Sequence, residues 1–160
     1  MRKGFTLVEL ILVFGIMIAL GAVVFANLAG KQNNTDLTST TQRVATLLRQ
    51  AQNDAVVQQN VSGQGSGVSW GVHFSNTSPS PFYVLFSGSY SVSSTVGYYT
   101  LPPTVAYRTS TLASGATLDV IFSPITGAAS PSTSIGFYMP KENTAFSSTI
   151  SIASSGAINY

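Results

Sequence analysis

The first thirty residues, MRKGFTLVELILVFGIMIALGAVVFANLAG, constrain the chain most. Arg2 and Lys3 open it, Gly4 follows, and an apolar run from Phe5 to Ala29 holds a single acid, Glu9. From Leu10 to Gly30 no side chain is charged. As a helix the run would be roughly 37 Å long. The hydrocarbon core of a bilayer is about 30 Å thick. The expectation is a membrane-spanning helix with its basic end on the cytoplasmic side and everything after about Gly30 outside. A carboxylate inside such a span costs on the order of 3 kcal/mol. Glu9 therefore needs an interfacial position or a partner.

The lettering around that acid is specific. Lys3-Gly4-Phe5-Thr6-Leu7-Val8-Glu9 resembles the processing motif of type IV prepilins and type II secretion pseudopilins. A secretory signal peptide is cut after its apolar core. Here the resemblance implies a cut before it, between Gly4 and Phe5. That cut removes only residues 1–4 and leaves the apolar helix on the product. The resemblance further implies a prepilin peptidase that cleaves after Gly4 and methylates the new amino terminus, Phe5. It implies that Glu9 pairs with the amino terminus of a neighbouring subunit, offsetting its burial and setting register. The implied partners are other pilin or pseudopilin subunits, the peptidase/methyltransferase, and an inner-membrane assembly platform. The implied location is a single-pass inner-membrane protein with an extracytoplasmic C-terminal domain, drawn afterwards into a filament.

Beyond the polar bridge Lys31-Gln32-Asn33-Asn34-Thr35-Asp36, the apolar residues Leu37, Val44, Leu48, Ala51 and Ala55 recur at helical steps, widened by Leu47 and Val56. Gln42, Arg43, Arg49, Gln52, Asn53 and Gln59 occupy the other face. The spacing predicts one helix from Phe5 to about Asn60, ended by Gly63-Gln64-Gly65-Ser66-Gly67. From Val68 onward the signal is strand: alternation at Val68, Trp70, Val72 and Phe74, then Phe82 to Phe86, Tyr98 to Leu101, Thr104 to Arg108, Thr117 to Ser123, Ser134 to Met139, Thr149 to Ala153 and Gly156 to Tyr160. Ser87 to Gly97 reads as a variable loop, and Pro124 to Ser130 as a turn. The expected fold class is α+β: a long N-terminal helix, transmembrane in its first half and amphipathic in its second, packed on an antiparallel sheet. The expected divisions are 1–4 leader, 5–30 transmembrane or filament-core helix, 31–62 amphipathic helix and 63–160 β domain.

LLRQAQNDAVVQQNV at 47–61, and LDVIFSPITG, SIGFYM and TISIASSGAINY further on, resemble the GspH/FimT group of minor pseudopilins and pilins. Three features depart from the family pattern, one of them the Arg within the helix segment, which appears only as Arg49. No proline precedes Pro79, whereas major pilins carry one within the membrane segment. Ala157-Ile158-Asn159-Tyr160 also stands where many members of the group have a basic residue after the last Gly.

The residues left for chemistry point away from an enzyme. Cysteine is absent and histidine occurs once, at His73, so ordinary zinc spacing is excluded. His73 reads as a polar-face strand residue or a core histidine with a backbone partner. The acids Asp36, Asp54, Asp119 and Glu142 are separated in sequence, with no clustered calcium loop. No cofactor and no metal is expected. The formal net charge is +2, and without Arg2 and Lys3 the charged side chains balance. Lys31, Arg43, Arg49, Arg108 and Lys141 do not run together as a phosphate track would. DNA uptake, known among FimT-like relatives, is the alternative function, with Tyr107, Tyr138 and Tyr160 as stacking candidates. The other alternative is an anchored binding domain that never polymerises. The tyrosines, with Trp70 and the phenylalanines, are expected on sheet faces and in the core.

Overall fold

The computed structural model describes residues 6–60, 67–141 and 146–160, apart from the side chains of 23–34. The leader, the Gly4–Phe5 junction, the side chains of Lys31, Asn33 and Asn34, most of the Gly63–Gly67 linker and Glu142 lie outside the described residues. The chain divides into two compact units, Met1–Thr35 and Asp36–Tyr160.

Helix α1 spans Leu7–Val56. Its start is capped locally: the Thr6 hydroxyl accepts the Glu9 backbone N–H at 3.3 Å. Thr6 and Glu9 have the Thr-x-x-Glu spacing of a capping box, and a carboxylate in the first turn also suits the positive end of the helix dipole. The helix ends earlier than the Gly-rich linker. The Gln59 N–H bonds to the Asp54 carbonyl at 2.8 Å and the Gln58 N–H to the Ala55 carbonyl at 3.2 Å. Gln58 takes φ 53°. This is a Schellman stop with a non-glycine residue in the left-handed position. Trp70 then fastens the exit, its indole N–H donating to the Gln59 carbonyl at 3.2 Å.

Within the second unit, Leu37, Val44, Leu48, Ala51 and Ala55 are buried, whereas Val56 is exposed. Among the described residues, nine strands form two antiparallel sheets around this stripe. The first has the order β3 (Thr95–Thr100), β2 (Phe82–Ser87), β1 (Trp70–Ser75), β5 (Thr117–Phe122), β6 (Ala129–Ser130). The second has the order β4 (Ala106–Tyr107), β7 (Thr133–Tyr138), β8 (Ser147–Ile152), β9 (Ile158–Asn159). Trp70, Val72, Phe74, Tyr83, Leu85, Val120 and Phe122 from the first sheet join Ile135, Phe137, Ile150 and Ile152 from the second in one cluster with the helix stripe. Tyr107 links the sheets, its hydroxyl donating to the Phe82 carbonyl at 3.0 Å. Burial drives the Tyr107 phenol far above its ordinary range, and neighbouring Tyr83 adds to the rise.

These observations correct the expected fold class. The unit Asp36–Tyr160 is mostly β, and its strands form two sheets, not one. Pro102 and Pro103 break the chain between β3 and β4, so β4 pairs with β7 and not with its sequence neighbour. The transmembrane assignment and the single-pass inner-membrane location are corrected with it. Among the described residues no helix is long and apolar enough to cross a membrane.

Two turns seal the far end of the stripe. Gly127 (φ 64°) and Gly156 (φ 87°) both lie in the left-handed region. The Gln52 amide donates to the Gly127 carbonyl at 3.1 Å. A Cβ on Gly156 would overlap both that amide and the Gly127 carbonyl. Gly156→Ala is expected to cost about 3 kcal/mol, from left-handed strain and overlap together. Urea unfolding followed by tryptophan fluorescence, which reports on Trp70, measures it.

Candidate functional site

The described part of the first unit exposes apolar side chains. The described apolar side chains of residues 7–20 lie on every side of the helix, and the large ones are between 46 % and 76 % exposed. An amphipathic helix would bury one face, but residues 7–20 bury none. Exposed apolar surface of this extent is found at protein–protein and membrane contacts. Glu9 is the acid on it, exposed in the first turn. The capping role of the Thr6–Glu9 pair was readable from the Thr-x-x-Glu spacing and missing from the reading of Glu9 above.

In the second unit the structure brings His73 and Asp119 together. They face each other across β1 and β5, with His73 Nδ1 2.5 Å from Asp119 Oδ1. His73 is only 6 % exposed. Its ring stacks on Tyr90 at 3.6 Å and 6°, with Phe82 tilted against it at 6.0 Å. His73 is thus a core histidine and not a polar-face residue, since β1 is buried along its whole length, and the partner of its ring is the Asp119 carboxylate. The cover is the 87–94 segment, read from sequence as a variable loop. Its turn Val92–Ser94 is held by Ser91 and Ser94, each capping the other, and the Ser94 hydroxyl donates to the Ser89 carbonyl at 2.8 Å. The geometry fastens a loop to a sheet.

The basic residues stand in separate settings. Arg49 donates to the Ile158 carbonyl at 3.3 Å and lies 5.1 Å from the centroid of Tyr160, so it clamps the C-terminus. Arg108 and Tyr138 line an open pocket of about 390 Å³. Arg43 lies in a groove of about 430 Å³ between α1 and the Tyr83 and Tyr99 rings, which stack at 5.4 Å. Burial raises the Tyr83 phenol, with Arg43 opposing the rise. Along the same helix, burial also raises the Asp54 carboxyl against a hydrogen bond from Gln50. Asp36 is taken up by the Thr104 hydroxyl at 2.9 Å. Among the described residues no group of three or more His, Cys, Asp or Glu side chains could hold a metal ion.

The chain matches no protein family, no curated protein and no solved structure.

Replacing His73 removes the ring on which Tyr90 rests. His73→Ala is expected to cost roughly 2 kcal/mol and to raise amide exchange in residues 87–94. Asp119→Asn keeps an acceptor for Nδ1 and is expected to cost less than about 1 kcal/mol. Chemical denaturation with hydrogen exchange read by mass spectrometry checks both.

Proposed function

We propose that the chain is a minor pilin or pseudopilin subunit, of the GspH/FimT kind, that assembles through α1 into a pilus or a secretion pseudopilus. The observation that carries this reading is the helix surface of residues 7–20, apolar on all sides and exposed. A sister helix offers the cover it lacks. The Lys3-to-Glu9 motif supports the same reading, since a cut after Gly4 would leave a free amino terminus on Phe5, four residues before Glu9 in the sequence. The partners in this reading are other pilin-like subunits, packed helix against helix, with a prepilin peptidase/methyltransferase and an assembly platform acting before them. Catalysis and DNA recognition have no part in it: His73 serves the 87–94 segment, and Arg49 serves the C-terminus.

In cells expressing a prepilin peptidase, mass spectrometry of the purified chain is expected to show loss of residues 1–4 and an added methyl on Phe5. An uncut amino terminus contradicts the reading. Glu9→Ala is expected to be cut normally yet to enter filaments about tenfold less, because it strands a neighbour's amino terminus. Cutting and assembly at wild-type levels would remove the register role.

A further inference from the structure

Strand β3 is the outer strand of the first sheet, so among the described residues one of its edges has no strand beside it. The ladder shows which groups point that way. Leu101 N–H donates to the Pro81 carbonyl at 3.0 Å, and the register pairs Tyr83 with Tyr99 and Val84 with Tyr98. Bonded and non-bonded pairs alternate along antiparallel strands. Tyr99 therefore turns its backbone groups toward β2, while Tyr98 and Thr100 turn theirs outward. β3 carries no charge and no proline, the usual devices that keep an edge from pairing.

The groove that holds Arg43 shares this strand through Tyr99. Its helix wall runs from Ser39 to Gln50, about 16 Å, the length of roughly five extended residues. Arg43 is exposed there, with no carboxylate in ion-pair distance among the described residues. An occupant that pairs with the edge and fills the groove must be extended and must bring a negative charge.

We propose that the β3 edge and the Arg43 groove bind an extended segment of a partner polypeptide, added as a further strand beside β3 with an Asp or Glu side chain on Arg43. Backbone groups of Tyr98 and Thr100 supply the affinity, and Arg43 supplies the preference for an acid. Pairing of β3 with β3 of a second copy fits less well. It would bring no carboxylate and would add a second Arg43. The proposal goes beyond filament assembly and does not rest on it.

The probe is a capped seven-residue peptide of alternating Thr and Val with a central Glu, compared with the same peptide carrying Gln. The full chain is kept in mild detergent to cover its apolar helix. The Glu peptide is expected to slow amide exchange at Tyr98 and Thr100 and to bind about tenfold tighter than the Gln peptide. Arg43→Gln is expected to erase that difference while keeping the weaker binding. Tyr98→Pro, which removes an outward N–H and no bond to β2, is expected to abolish binding. Three results overturn the proposal: no protection at Tyr98 and Thr100, equal affinity for both peptides in the wild-type chain, or the same protection appearing without peptide as protein concentration rises, which would mark self-pairing.

Discussion

Burial of one stripe of α1 is the interaction on which the second unit depends. Val44, Leu48, Ala51 and Ala55 are fully buried, and the apolar faces of both sheets meet in their cluster. Full burial of a Val or Leu side chain stabilises by about 1.5–3 kcal/mol. The alanines act differently: they contribute little area, but they allow close approach of the strands and turns. At the C-terminal end this closeness becomes extreme, where Gln52, Gly127 and Gly156 leave no room for a Cβ. Hydrogen bonds then fasten the helix to the turns around it, from Ile125 to the Ala55 carbonyl and from Gln52 to the Gly127 carbonyl.

The same helix has two kinds of surface, and the contrast points to assembly. In residues 37–55 apolar residues occupy a stripe and polar residues the rest. In residues 7–20 they occupy every side. A helix apolar all round is one that other apolar surface covers. Part of the polar chemistry of the second unit, by comparison, holds pieces in place. His73 and Asp119 hold Tyr90 and its loop. Arg49 holds the C-terminus.

Much of the second unit was legible in local pattern. Strand positions follow period-two alternation at Trp70, Val72 and Phe74 and in TLDVIF, and the helix stripe follows from its spacing. What local pattern does not carry is pairing between distant segments. The division into two sheets arises because β4 pairs with β7, and the two-residue strand β6 forms only because β5 lies beside it. The His73–Asp119 contact joins residues 46 positions apart, so neither residue announces the other. The helix stop was misplaced for a physical reason: the Gly-rich linker is the stronger signal, but Gln58 already accepts the left-handed conformation. The membrane span and its location rested on the apolar run alone, and among the described residues no helix is long and apolar enough to cross a membrane.

The most direct test of the account asks what covers residues 7–20. The chain has no cysteine, so Leu12→Cys and Ile16→Cys variants can be cross-linked without background. Short bifunctional thiol reagents applied to cells expressing the chain with its neighbouring genes are predicted to give a ladder of cross-linked species on denaturing gels from both variants. A product that stays monomeric at both positions would contradict the account.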